Sequence, residues 1–197
     1  VSNVINMANM FNANNIFNQN LSNWDVSSVI NMQGMFRQMP LFNSPLNWGT
    51  KTEKVISMSE MFRDSPLFNQ AIDGWDVSKV TTTNLMFYRA NSFNQDLNSW
   101  DLSSLTNGAG MFQENTAFNG NIANWKFSTD ATKNINLGNM FLSATAFNRD
   151  ISTWNVVRVT NMSSMFNNAQ KFDQDISGWD VSNVTNMASM FQSTRLF

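Results

Sequence analysis

The side chains able to do chemistry fall in rows rather than in one constellation. The residue after each tryptophan from the first to the seventh is Asp25, Gly49, Asp76, Asp101, Lys126, Asn155 and Asp180. If these project from neighbouring strands about 4.8 Å apart, Asp76 and Asp101 bring like charges into file. Hard carboxylate and amide oxygens in that arrangement suit Ca²⁺, so calcium is the cofactor to consider. A second acidic column, Asp96, Asp150 and Asp175, lacks the dense glycine–aspartate spacing of a calcium repeat. The competing reading of both columns is a solvated face with turn-forming Asp. The candidate binding positions are therefore Asp25, Asp76, Asp101, Lys126, Asn155 and Asp180, without a dedicated metal set.

Catalysis has little to work with. The 197-residue chain contains no histidine and no cysteine, which removes the commonest general base and metal ligand and every thiolate. Glu60 and Asp64 are four apart and resemble paired carboxylates, but Arg63 sits between them and nothing else polar converges. No catalytic residue is assigned and the expectation is a non-enzymatic protein. Charged residues make up 13% of the chain and the net charge is −2, which argues against nucleic acid as a partner because no basic face would displace counterions. No apolar run approaches the roughly 20 residues that span a bilayer, so a membrane is reached only through an anchor outside this stretch. Asn20-Leu21-Ser22 and Asn183-Val184-Thr185 are glycosylation acceptors if the host glycosylates; Asn161-Met162-Ser163 is a third.

What must position these residues is an internal repeat. Met-Phe occurs eight times, ending at Phe11, Phe36, Phe62, Phe87, Phe112, Phe141, Phe166 and Phe191, in steps of 25, 26, 25, 25, 29, 25 and 25 residues. Six residues beyond each lies a second phenylalanine, from Phe17 to Phe197, and tryptophans recur at 24, 48, 75, 100, 125, 154 and 179. Three aromatic columns in phase describe units that cannot bury their own apolar faces and must pack on their neighbours. In the unit Phe172–Phe191, Ile176, Trp179 and Val181 read as a short strand with Asp180 pointing outward. In the preceding unit, Met162, Met165, Phe166 and Ala169 fall at i, i+3, i+4 and i+7, the face of a short helix, with Thr160 or Asn161 as its cap. The expected fold is an α/β solenoid of leucine-rich type, about eight coils of roughly 25 residues with one strand and one helix each. Residues 1–197 form a single array, expected to be a piece of a longer one because neither end carries a polar cap. Asparagine columns, one starting at Asn18 and one at Asn6, should serve the turns. Two polar insertions follow Trp48 and Trp125 and should bulge on one edge.

The run Trp179–Met187, WDVSNVTNM, with the extended motif W-D-V-S-x-V-T-N-M-x-x-M-F-x-x-A-x-x-F-N-x-D-I, resembles the BspA-type leucine-rich-like surface repeat found in mycoplasma surface lipoproteins, other bacterial surface proteins and some protists. The resemblance covers all eight Met-Phe units. It implies extracellular or cell-surface display and a role in adhesion or protein–protein contact, with a protein or extracellular-matrix partner and no enzymatic residues. Asn47-Trp48-Gly49, Trp125-Lys126-Phe127 and Trp154-Asn155-Val156 depart from the motif by losing its Asp. A structural spacer or assembly subunit is the alternative function.

Overall fold

The computed structural model describes residues 1–197. The chain contains no α-helix. Its regular structure is one 3-10 turn at Gly49–Thr52 and four short strands: β1 (Asp101–Leu102), β2 (Lys126–Phe127), β3 (Ile135–Asn136) and β4 (Val159–Asn161). They form two parallel two-stranded sheets, β1 with β2 and β3 with β4, the latter with a register shift. The expected α/β solenoid with a strand and a helix in every coil is therefore overturned, and the strand expected at each Trp-Asp-Val exists only as β1 and β2.

The helix expectation failed for a definite reason. Between Met162 and Ala169 the backbone donors divide into two sets. The N–H groups of Met162, Ser164, Phe166 and Asn168 donate to the carbonyls of Asn186, Ala188, Met190 and Gln192 in the next repeat. Those of Met165, Asn167 and Ala169 donate three residues back, to Met162, Ser164 and Phe166. Ser164 and Asn168 sit at φ 51° and 57°. A tight turn with positive φ at its third residue has the φ signature of type II, and two such turns, four residues apart, point Met162, Met165, Phe166 and Ala169 inward as a helix face would. A helix would spend every one of these donors within the repeat; here alternate donors tie one repeat to the next.

The same pair of turns recurs along the chain, at Gly34 and Gln38, Glu60 and Asp64, Leu85 and Arg89, Gly110 and Glu114, and Asn139 and Ser143. Most of these residues bear side chains in a region where L-residues are strained by roughly 1–2 kcal/mol. Ser164→Gly should therefore raise stability by about 0.5–1 kcal/mol after the added unfolded-state entropy of glycine is subtracted. Equilibrium urea unfolding measures it, and a loss of stability would contradict the assignment.

Parallel bridges between adjacent repeats run through Asn6, Asn31, Ser57, Thr82, Asn107 and Asn136, and again between Asn161 and Asn186. In this column Asn31, Asn107, Asn136 and Asn161 turn their side-chain oxygens back to accept the N–H two residues on, so Asn161 caps a turn where a helix cap was expected. The other asparagine column is a ladder. The Oδ1 of Asn18, Asn43, Asn69, Asn94, Asn119 and Asn148 accepts the backbone N–H of Asn43, Asn69, Asn94, Asn119, Asn148 and Asp173 respectively. Each amide satisfies a backbone donor that has no main-chain partner.

One continuous core of 51 buried residues fills the interior. Its centre is two columns of phenylalanine rings. Phe36, Phe62, Phe87, Phe112, Phe141 and Phe166 stack on one another at 5.4–5.6 Å, and each also stacks on the second phenylalanine of its own repeat at 3.7–4.4 Å. The tryptophans flank them, buried from Trp48 to Trp179 and partly buried at Trp24, in keeping with their inward spacing. Each indole N–H from Trp48 to Trp179 donates to a carbonyl of the preceding repeat: Leu21, Leu46, Ile72, Leu97, Ile122 and Ile151.

Candidate functional site: the tryptophan corner

The chain turns outward immediately after each tryptophan, so the next residue lies at the protein surface. Asp101, Lys126, Asn155 and Asp180 are exposed and Asp25 and Asp76 half-buried. In most of these positions the side chain holds its own turn. The Oδ1 of Asp25, Asp76, Asp101 and Asp180 accepts the backbone N–H of Ser27, Ser78, Ser103 and Ser182 at 2.9–3.2 Å, and Asn155 accepts from Val157. The hydroxyl and N–H of the serine two residues on hold the carboxyls of Asp25, Asp76 and Asp180 below their ordinary range. The N–H and hydroxyl of Ser152 and Ser177 act in the same way on Asp150 and Asp175.

A depressed folded-state pKa means that the stabilisation is present above the unfolded value, about 3.9 for Asp, and is lost as pH falls through the folded value. The thermal midpoint should decline on acidification below about pH 4. A triple Asp25→Asn, Asp76→Asn, Asp180→Asn variant keeps an acceptor oxygen but does not titrate there, so its decline should be shallower. Parallel pH–melting curves for the two proteins would refute this.

Two neighbours in this row do more than hold turns. Asp101 and Lys126 are opposite each other in the β1–β2 register. Neither takes part in an ion pair: every ion pair of the chain lies elsewhere, among Arg37, Glu60, Arg63, Asp64, Arg89 and Glu114. Asp101 and Lys126 flank an open groove of about 430 Å³ whose other walls are Asn98, Ser99, Trp100 and Asn124. Asn98 accepts the Asn124 N–H through Oδ1. Trp48 stacks on Trp75, Trp125 on Trp154 and Trp154 on Trp179, but Trp100 joins no stacked pair, and the regular file of indoles is interrupted at the groove.

A second hollow, about 250 Å³, occupies the equivalent corner two repeats earlier, lined by Leu46, Asn47, Gly49, Ala71, Ile72, Gly74 and Trp75. Both hollows adjoin an insertion. The one after Trp48 folds into the 3-10 turn, pinned by the Thr52 hydroxyl to the Asp76 carbonyl at 2.9 Å. The one after Trp125 continues from β2 into an exposed turn in which Asp130 accepts from Thr132. Both insertions follow a tryptophan at the same point of the repeat, and neither bulges wholly into solvent, because Thr52 and Ser128 are buried.

The remaining candidates are dispersed. Asp76 is not a strand neighbour of Asp101, and no group of three or more Asp, Glu, His or Cys side chains converges anywhere in the chain, so the row offers calcium no assembled ligand set. Asn20 and Asn183 are both exposed. Asn20 accepts from Ser22, whereas the Asn183 amide donates to the Val157 carbonyl at 2.8 Å. Glu60 and Asp64, the carboxylates that resembled a catalytic pair, belong to an ion-pair relay. Glu60 bridges Arg37 and Arg63 at 3.0 Å each, and Arg89 links Asp64 to Glu114. The guanidiniums of Arg63 and Arg89 lie over the Tyr88 ring at 5.2 and 4.8 Å. Sequence reasoning missed this relay, although Asp64, Arg89 and Glu114, at successive steps of 25, carried its signal. Three cations and three anions neutralise one another there, so it serves repeat-to-repeat register.

Comparison with curated proteins and with solved structures gives no match. A family model, by contrast, matches three successive stretches, residues 1–52, 47–136 and 128–197. With the whole chain accounted for by tandem matches to one model, the protein belongs to the repeat family described as "Mycoplasma protein of unknown function, DUF285".

Proposed function

We propose that the chain is a non-enzymatic recognition module, displayed at the cell surface, that binds a protein or extracellular-matrix partner through its tryptophan corner. The observation that carries this reading is the Asp101–Lys126 pair: opposite charges in strand register at the mouth of a groove, neither spent on an internal ion pair. Charged groups left free of ion pairs at a concave site are available to fix a ligand's orientation. The absence of His and Cys and of convergent carboxylates favours binding over catalysis. The likeness of the Trp179–Met187 run to BspA-type surface repeats supports surface display and adhesion.

The test is adhesion of the soluble chain to immobilised matrix proteins and host-cell surfaces. The Asp101→Ala, Lys126→Ala double variant should bind at least tenfold more weakly, while its melting temperature falls by only a few degrees, the cost of the turn hydrogen bond from Ser103 to Asp101. Binding that survives the double variant would place recognition elsewhere, and a chain that binds nothing in these formats would favour a structural spacer.

A further inference from the structure

One member of the amide ladder is unlike the rest, because glycine follows it. We propose that Asn119–Gly120 is a self-modifying site, at which the Gly120 backbone nitrogen attacks the Asn119 side-chain amide and converts it, through a succinimide, to aspartate and isoaspartate.

The step balances with water as its co-reactant. The Gly120 N–H gives its proton to hydroxide, and the nitrogen forms a bond to Asn119 Cγ. The Cγ–Nδ2 bond breaks, and the amide nitrogen takes a proton from water and leaves as ammonia. Water then opens the succinimide at either carbonyl. One opening gives aspartate; the other gives isoaspartate, in which the main chain runs through the former side chain.

The fold prepares each partner in this step. The nucleophile is free: the Gly120 N–H donates to no acceptor in the chain, and glycine carries no side chain to obstruct the approach. The electrophile is polarised. Asn119 Oδ1 accepts the Asn148 N–H at 2.9 Å, a fixed donor on the oxygen where negative charge develops during attack. The peptide bond between them is activated as well. Arg149 Nε donates to the Asn119 backbone carbonyl. A charge-assisted hydrogen bond there draws electron density from the Asn119–Gly120 amide, so its N–H proton is more readily lost.

Other asparagines of the same chain lack one or more of these conditions. Asn18, Asn43, Asn69, Asn94 and Asn148 share the Oδ1 hydrogen bond, but Gln, Ser or Arg follows each of them. At the place in the repeat that Arg149 occupies, Gln95 offers only a neutral amide to the Asn69 carbonyl. Asn107–Gly108 is a second Asn-Gly pair, and there the nucleophile is occupied. The Gly108 N–H donates to the Asn136 carbonyl at 2.9 Å, and Asn107 Oδ1 is turned to the Ala109 N–H. Both glycines are buried and both asparagines half-buried, so exposure does not separate the two sites. Conversion at Asn119 also has a structural consequence. An isoaspartyl link lengthens the main chain where Gly120 abuts the Gln95 carbonyl, which loosens the contact with the preceding repeat.

The experiment incubates the intact chain in mildly alkaline buffer and follows amide-to-acid conversion at Asn107 and Asn119 by fragment-ion mass spectrometry. Asn119 should convert at least tenfold faster than Asn107. Arg149→Met removes the cation from an exposed position and should slow Asn119 at least threefold while leaving Asn107 unchanged. In concentrated urea, with the fold gone, the two sites should convert alike. No conversion at Asn119, an equal or faster rate at Asn107, or a rate at Asn119 indifferent to Arg149→Met overturns the proposal. So does a preference for Asn119 that survives in urea, since it would then belong to the local sequence and not to the fold.

Discussion

Phe112→Ala should destabilise the protein by about 3–5 kcal/mol, the range for truncating a fully buried phenylalanine. Phe112 is the midpoint of the aromatic columns. Its ring stacks on Phe118 at 3.7 Å within the repeat, on Phe87 at 5.4 Å and Phe141 at 5.6 Å in the repeats either side, and on Trp125 at 6.2 Å. Removing it leaves a void bounded by stiff rings, which cannot collapse into the space as a flexible side chain would. Because each repeat rests on its neighbours, the loss falls on the coupling between the two halves of the array. Urea unfolding followed by tryptophan fluorescence and by circular dichroism should then show the two probes separating, where the parent shows one transition. The same change at Phe197, which is half exposed, should cost less than a third as much. Equal losses at the two sites would mean that the columns do not carry the stability argued here.

Gly120→Ala should cost about 2–3 kcal/mol, although only one methyl group is added. A Cβ at Gly120 would overlap the Gln95 carbonyl oxygen, well inside van der Waals contact, and would lie 2.8 Å from that carbonyl's carbon and 3.1 Å from the Phe118 ring. The obstacle is backbone, so it cannot move aside by changing rotamer. The result is not obvious from the repeat, because Gln70, Gln95 and Gln174 occupy the same place in other units. The difference is a closer approach of the chain. Here the Leu97 N–H donates to the Asn121 carbonyl at 2.9 Å, drawing residues 119–121 onto the preceding repeat beneath the groove. Equilibrium unfolding of Gly120→Ala beside Gly74→Ala, which meets nothing within 4 Å, isolates the effect. A loss below about 0.5 kcal/mol, the size of an ordinary surface substitution, would show that the close approach is not needed.

Neither substitution is expected to act on the Asp101–Lys126 pair directly. Gly120→Ala nevertheless bears on it, since Asn98 and Asn124 stand on the segments that the close approach brings together, and the Asn124 N–H donates to Asn98 at 2.9 Å. A shift there would widen the groove before it unfolded the protein. Ligand affinity and stability should therefore fall together in Gly120→Ala, whereas Asp101→Ala, Lys126→Ala should lower affinity with only the small loss of stability that goes with the Ser103 turn hydrogen bond.

Much of the interior was determined by residue type and spacing alone. The Met-Phe pairs, the second phenylalanine and the tryptophan repeat in phase, and a row of large apolar side chains recurring every 25 residues can be satisfied only inside, against its own copies. The turn-forming Asp and the amide columns were legible for a related reason: a short polar side chain next to a chain reversal finds its own backbone before it finds anything else. The local backbone was not legible. Met162, Met165, Phe166 and Ala169 have the spacing of a helix face, and two tight turns four residues apart produce the same inward set. What separates the two is where the N–H groups of Met162, Ser164, Phe166 and Asn168 go, and only the neighbouring repeat decides that by offering its carbonyls. The groove belongs to the same class. Asp101 and Lys126 stood out as members of a row, but their pairing in register, the break in the indole stack at Trp100 and the hollow beside Gly74 arise from how successive repeats settle around two insertions, a three-dimensional fit with no trace in any single repeat.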